Sequence, residues 1–81
     1  MPYIIQPPEY HPSSRFPLGA NAKGIFERKP RKGIRVKGEI VGYRQSVILR
    51  WVVKIKNTIG TPTCPKDDLV YNIHEEKVEL L

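Results

Sequence analysis

The chain has 81 residues, of which 40% are hydrophobic and 27% charged, a composition typical of a small globular domain. Eight prolines and six glycines favour strands and turns over long helices. A single cysteine, Cys64, excludes an internal disulfide and a multi-cysteine zinc site, which fits a reducing, cytoplasmic compartment. No apolar run approaches the roughly 18 residues that a membrane-spanning helix needs, and the N-terminus lacks the pattern of a secretory signal. We therefore expect one small cytoplasmic domain with no membrane partner.

Residues 1–22 contain five of the prolines and no sustained periodicity, so they are predicted to form an extended, proline-rich arm. Apolar side chains scattered along such an arm are costly to leave in water. We expect the arm to lie across a neighbouring chain, with five anchors: Tyr3, Ile4, Ile5, Tyr10 and Phe16. Residues 7–10 also match the short Pro-Pro-x-Tyr pattern that aromatic grooves bind, but an arm packed on a partner is the favoured interpretation.

The folded body is predicted to span residues 23–73 and to begin with a short edge strand near residues 24–27. A second strand, over residues 33–43, alternates apolar and charged residues, and Gly38 and Gly42 on its inward face permit a bend or a bulge. A third strand, over residues 46–56, alternates in the same way and forms an antiparallel hairpin with the second. The strand at residues 46–56 is the clearest element in the sequence.

The rest of the body is a turn-rich stretch at residues 62–68, expected to include one turn of 3₁₀ helix, followed by a strand at residues 69–73. Residues 74–81 form an acidic C-terminal tail, which is compatible with an edge strand, a short helix or a hook into a neighbour. Trp51 is expected to be buried on the inward face of the sheet. Its expected neighbours are Ile34, Val36, Ile40, Leu49, Val53, Leu69 and Tyr71.

Two long strands that bend at glycines can each serve both sides of a small barrel. The predicted fold class is therefore all-β, a small SH3-like five-stranded barrel preceded by the extended arm. The run Gly38–Tyr43, then Trp51–Val53, then Pro65 and residues 69–73 resemble SH3-like small barrels in order and spacing. Among these, the chain is similar over roughly residues 32–73 to the plasmid-type, trimethoprim-resistant dihydrofolate reductases. That resemblance implies a tetramer around one pore and a disordered N-terminal tail.

The reductases bind folate and nicotinamide through a Val-Gln-Ile-Tyr run before the proline, whereas residues 61–64 here read Thr-Pro-Thr-Cys. Cys64 has no recognisable activating base and is interpreted as a small buried or turn residue. Asp67 and Asp68 are interpreted as turn-capping residues, and His74 as part of a solvated terminus. We therefore predict a non-enzymatic protein with no catalytic residue, no metal site and no cofactor.

The strongest functional signal is charge. Residues 23–56 contain eleven Lys and Arg against two acids, although the whole chain carries only +6. Cations occur first in a proline-containing loop and then alternate on the outward faces of two neighbouring strands, where they could merge into one basic stripe. The predicted binding residues for nucleic acid or an acidic partner are Arg28, Lys29, Arg31, Lys32, Arg35, Lys37, Arg50, Lys54 and Lys56.

Two functions follow from these features, beside the plain alternative that the charges merely solvate a small domain. The first is a binding or assembly subunit that docks on a protein or ribonucleoprotein complex, or on copies of itself, through its arm and basic face. The second is a nucleic-acid-binding protein that contacts the phosphate backbone through residues 28–37 and 50–56. Few aromatic residues interleave with these cations, so base stacking is not expected.

Overall fold

The computed structural model describes residues 10–48 and 50–81. Five antiparallel strands form one sheet in the order β4-β3-β2-β1-β5. The strands are β1 (Asn21–Phe26), β2 (Ile34–Gln45), β3 (Trp51–Lys56), β4 (Val70–His74) and β5 (Val78–Leu80). Two 3₁₀ turns, Pro12–Ser14 and Glu75–Lys77, are the helical elements of the described residues, among which no helix is long and apolar enough to span a membrane. The predicted all-β, five-stranded class is confirmed.

The sheet curls so that β1 packs against β4, although the two strands are not hydrogen-bonded neighbours. The ring of Phe26 meets the ring of Tyr71 edge-on, with centroids 5.3 Å apart. At Gly24, an added Cβ would lie 3.0 Å from the side chain of Ile73, so this strand crossing needs a residue without a side chain. The curl produces a barrel-like core, while the sheet remains open between β4 and β5.

The expected bend in β2 is present and depends on a glycine. A Cβ at Gly38 would lie 1.8 Å from the backbone oxygen of Lys56, a distance that no side chain tolerates. Three residues later, Val41 forms a bulge where the register with β3 shifts between Ile40 and Gly42. The bulge adds one residue to β2 and therefore reverses which positions face the core. Even-numbered residues face the core before the bulge, and the odd-numbered Tyr43 faces it after the bulge.

The first and last strands correct two predictions. β1 is not an edge strand, because β5 pairs with it through Ala22–Leu80 and Gly24–Val78 and leaves it inside the sheet. The 3₁₀ turn expected within residues 62–68 is found instead between β4 and β5, at Glu75–Lys77. Residues 61–64 form a tight turn closed by a bridge between Thr61 and Cys64.

The core lies between the two curled halves of the sheet. It contains Phe16, Ala22, Val36, Ile40, Val53, Ile55, Cys64, Tyr71, Ile73 and Val78. The prediction that Trp51 is buried in this core was wrong, because β3 begins only at Trp51 and the ring lies half-buried at the end of the barrel. Leu69 precedes β4 and is also exposed, and Leu49 lies outside the described residues.

The described part of the arm packs on its own barrel. Phe16 is 3% exposed within the core, and Pro12 is buried at the first 3₁₀ turn. Backbone hydrogen bonds from Gly19 N to Ile40 O and from Ile40 N to Ala20 O, each 2.9 Å, then lead the chain along β2. Residues 10–20 are therefore part of the folded unit, and the barrel begins before residue 23.

Candidate functional site

Four of the predicted binding residues lie in the loop between β1 and β2. Gly33 closes this loop with φ +93°, and its amide donates to the Phe26 oxygen at 2.6 Å. The loop is compact at its base, so its charged side chains project from the end of the barrel. All four are exposed: Arg28, Lys29, Arg31 and Lys32.

Arg31 differs from its three neighbours because it turns toward the barrel. Its guanidinium lies 5.3 Å from the centroid of the Tyr71 ring, and Nη2 is 3.7 Å from the sulfur of Cys64. A cation over an aromatic face is attracted by the ring quadrupole. Arg31 therefore fastens the loop to the end of the core, and the other three cations remain available to a partner.

Arg35 and Lys37 lie on the outward face of β2, beside β1. Lys23 of β1 stands directly opposite Lys37 in the strand register and was not among the predicted residues. Together these three cations line the floor of a groove of about 460 Å³. Lys23 is also 3.5 Å from Glu79 of β5, and both side chains are well exposed.

The wall of the groove is formed by Thr61 and Pro62, which belong to the long segment between β3 and β4. This segment runs beside the first part of β2, before Glu39, where β2 no longer pairs with β3. The Thr61 hydroxyl donates to the backbone oxygen of Arg35 at 2.6 Å, and Gly60 N donates to the backbone oxygen of Lys37 at 3.0 Å. Gly60 adopts φ +85° to make this approach. The opposite wall consists of Glu76, Lys77, Val78 and Glu79.

The remaining predicted cations do not continue this groove as one stripe. Lys56 of β3 is the cross-strand partner of Glu39 in β2, so an acidic residue lies between Lys56 and Lys37. Lys54 stands opposite Gly42, beyond the bulge. Arg50 is 3.4 Å from Glu76 and is neutralised in part by that ion pair. Among the described residues, the other eight predicted cations have no carboxylate within ion-pair distance.

Behind the groove, a buried polar network holds the segment between β3 and β4. Asn57 is fully buried, and its side-chain nitrogen donates to the backbone oxygens of Cys64 and Pro65 and to Asp67. The Tyr71 hydroxyl donates to Asp67 at 2.5 Å, and Leu69 N donates to the same carboxylate at 3.0 Å. The capping role expected for Asp67 is confirmed by this last bond.

The network explains two pKa shifts. Burial alone would raise the pKa of the Asp67 carboxyl, but hydrogen bonds from Tyr71, Leu69 and Asn57, with the charge of Arg31, lower it below its usual value. Burial and the hydrogen bond to Asp67 raise the pKa of Tyr71. Cys64 lies at the centre of these groups and is only 1% exposed, as expected of a buried turn residue. The network positions the groove wall, because Asn57 holds the backbone of Cys64 and Pro65 beside Thr61 and Pro62.

Of the predicted arm anchors, Tyr3, Ile4 and Ile5 lie outside the described residues. Tyr10 is 39% exposed, and its hydroxyl donates to Glu75 at 2.5 Å. Phe16 lies in the chain's own core, where it cannot also anchor a neighbour. Between them, the His11 ring packs edge-on against Tyr43 and Trp51, with centroids 4.9 and 4.8 Å away.

No protein-family model, curated protein or solved structure matches this chain. Its function is therefore inferred from the arrangement of its own residues. Within the described parts of the chain, no group of three or more His, Cys, Asp or Glu side chains is placed to hold a metal ion.

Proposed function

We propose that the protein is a non-enzymatic binding subunit that docks on a ribonucleoprotein or other nucleic-acid complex by laying its basic outer face against a phosphate backbone. The contact surface is the groove floor of Lys23, Arg35 and Lys37, extended by the exposed cations of the β1–β2 loop. The order of strands and the 3₁₀ turn before β5 support a resemblance to SH3-like barrels in architecture only. The proposed function rests on the charges alone.

The observation that carries this proposal is the direct cross-strand pair of Lys23 and Lys37. Like charges opposite each other on a sheet destabilise the fold. Glu79 offsets only one of the two, and Arg35 adds a third cation two residues along the same face. A fold that keeps such a cluster gains free energy when a polyanion neutralises it, because phosphate contacts release counterions.

The shape of the groove supports a single strand rather than a duplex. Thr61–Pro62 and Glu76–Glu79 line the groove beside the cations of its floor, and we propose that one extended strand lies between them. Among residues 10–48 and 50–81, no aromatic side chain lines this groove, so these residues offer bases no stacking platform there. We therefore expect binding that depends on the backbone and shows little preference among base sequences.

The arm has a smaller part in this proposal than the sequence suggested. Pro12 and Phe16 are committed to the chain's own barrel, which removes one of the five predicted anchors from any neighbour. Tyr10 is held at the second 3₁₀ turn by Glu75. Assembly with other proteins of a complex would then use residues before Tyr10, in addition to the basic face.

The test is the salt dependence of binding to a fluorescently labelled single-stranded oligonucleotide, followed by anisotropy with the full chain. For a single strand, the slope of log affinity against log salt is about −0.7 for each phosphate neutralised. Arg35→Gln and Lys37→Gln should each weaken binding and reduce the slope by about 0.7. Arg50→Gln is the matched control, because Arg50 is already paired with Glu76. A slope near zero, or equal losses in all three variants, would contradict the proposal.

A further inference from the structure

A second cavity lies on the other side of the bulge, on the outer face of β2, β3 and β4. Its volume is about 210 Å³, and its floor is Val52. Arg44 of β2 and His74 of β4 are both direct cross-strand partners of Val52. Since neighbouring strands lie about 4.8 Å apart, the backbones of these two residues are separated by about 10 Å. Val52 is only 4% exposed although it points outward, so the polar side chains around it form the walls.

The walls carry an excess of hydrogen-bond donors and positive charge. Arg28 reaches the cavity from the β1–β2 loop, and Asn72 and Ser46 complete it. The Ser46 oxygen accepts a hydrogen bond from Arg50 N at 3.2 Å, which leaves its hydroxyl proton free to donate to another group. The acid at the rim, Glu27, is 3.7 Å from Lys77. In the described parts of the chain, neither Arg28 nor Arg44 has a carboxylate within ion-pair distance.

His74 supplies an independent observation. Its ring nitrogen Nδ1 is buried and has no hydrogen-bond partner among the described residues. It is the single buried side-chain nitrogen or oxygen of that kind in those residues, and buried polar atoms in folded proteins are nearly always paired. A ligand that brings an oxygen against this imidazole would provide a partner on the same side of the sheet as the two arginines.

We propose that this cavity binds a phosphate group, with Arg28 and Arg44 as its charged ligands and Ser46, Asn72 and His74 as further hydrogen-bonding partners. Arginine suits this role because its planar guanidinium donates two parallel hydrogen bonds to a phosphate. Cavities that enclose a whole small molecule exceed about 300 Å³, so this one holds the phosphate while the rest of the ligand remains outside. The site uses none of the groove cations, and Arg28 of the β1–β2 loop is the residue that it shares with the proposed nucleic-acid contact.

The test is an NMR titration of the amide signals of the full chain with inorganic phosphate, compared with sodium chloride at equal ionic strength. We expect saturable shifts at Arg44, Val52, Asn72 and His74 with phosphate alone, and none at Lys23 or Lys37. Arg44→Gln and Arg28→Gln should each lower the affinity by about tenfold or more, as expected for a lost charge-assisted contact. Both side chains are exposed, so neither change threatens folding.

Arg35→Gln is the matched control, since it removes an exposed arginine from the groove and not from the cavity. It should leave phosphate affinity unchanged while weakening oligonucleotide binding, which separates a failure of this inference from a failure of the proposed function. Shifts that do not saturate, that appear equally with chloride, or that saturate at the same phosphate concentration in Arg44→Gln as in the wild type would overturn the phosphate site.

The source of the phosphate is distinguished by a pair of oligonucleotides that differ only in a terminal phosphate. If the phosphorylated strand binds more tightly, and Arg44→Gln abolishes the difference, the site reads a strand end. If the two strands bind equally while inorganic phosphate still saturates the cavity, the ligand is a small phosphate compound. Both results support the site, and lack of saturation with inorganic phosphate rejects it whichever strand binds more tightly.

Discussion

The hydroxyl of Tyr43 donates a hydrogen bond to the backbone oxygen of Phe16, and this contact ties the end of the arm to the sheet. Burial raises the pKa of Tyr43, so the hydroxyl keeps its proton over a wide pH range. Beside it, the Phe16 ring is enclosed in the core with Val36, Ile40 and Val53. The arm therefore contributes directly to the stability of a small domain, which has little other apolar surface to bury.

The first prediction is that Phe16→Ala lowers the free energy of unfolding by about 3–5 kcal/mol, because it removes a buried aromatic ring and leaves a cavity. Urea denaturation followed by the fluorescence of Trp51 would measure this loss. Leu18→Ala is the control, since Leu18 is 62% exposed in the same segment and should change stability by less than about 0.5 kcal/mol. Equal, small effects of both changes would mean that the arm does not pack on its own barrel.

The second prediction concerns the bend in β2. Gly38→Ala should prevent the native pairing of β2 with the start of the β3–β4 segment, because the new Cβ would lie 1.8 Å from Lys56 O and 2.6 Å from Thr58 N. Both obstacles are backbone atoms, so no side chain can move aside. Gly42→Ala offers a matched comparison, since its nearest contact is the flexible end of Lys54 at 3.5 Å. Circular dichroism should show an unfolded or strongly destabilised Gly38→Ala chain and a folded Gly42→Ala chain.

The third prediction is an acid-sensitive stability that depends on Asp67. Its pKa is lowered in the folded protein, so the stabilisation is complete above the unfolded value of 3.8 and is lost as the pH falls through the folded value. Asp67→Asn should therefore reduce stability at neutral pH and flatten the decrease seen below about pH 4. Thermal melts from neutral to acid pH would measure both effects.

Asp68→Asn controls for the loss of one negative charge in that experiment. Asp68 is exposed and has φ +57°, a conformation that asparagine also adopts. Its replacement should lower stability at neutral pH far less than Asp67→Asn. Tyr71→Phe removes the closest hydrogen-bond donor to Asp67 and should shift the loss of stability toward higher pH. If Asp67→Asn loses stability at low pH in the same way as the wild type, that loss is caused by groups other than Asp67.

Alternation was sufficient to predict β2 and β3, apart from the start of β3 at Trp51, and glycines indicated the bend within β2. Ile34, Val36 and Ile40 alternate with charged residues over a short range, and this local pattern determines which face is buried. The all-β class of the fold follows from such strands, together with the glycines within β2. The cations of the β1–β2 loop were also predicted from local sequence, because charged residues beside a proline are expected to lie in an exposed loop.

What could not be predicted depends on contacts between distant parts of the chain. The bulge at Val41 reverses the alternation, and its position is set by the register with β3. It brings Arg44 to the outer face, whereas the alternation before the bulge would turn this even-numbered position toward the core. Lys23 was missed for a similar reason, since β1 becomes an interior strand only when β5 pairs with it. Trp51 was misplaced because the start of β3 could not be found by composition.

The last prediction joins stability and function at a single residue. Lys37 stands opposite Lys23, and its charge has no carboxylate within ion-pair distance among the described residues. Replacing it with glutamine removes a like-charge contact and keeps the first two methylene groups of the side chain. We expect Lys37→Gln to raise the free energy of unfolding by about 0.2–1 kcal/mol at low salt, while the affinity for a single-stranded oligonucleotide falls.

The salt dependence of this gain in stability tests whether charge repulsion is its cause. The gain in stability should shrink as salt is added, because the repulsion between two exposed charges is screened over about 10 Å at 0.1 M ionic strength. Lys23→Gln is the informative counterpart: it removes the same repulsion but also the ion pair with Glu79, so its gain should be smaller. Urea denaturation of both variants at low and high salt measures these differences. If Lys37→Gln instead destabilises the protein at low salt, the cluster is part of the fold's own stabilisation and does not need a polyanion to neutralise it.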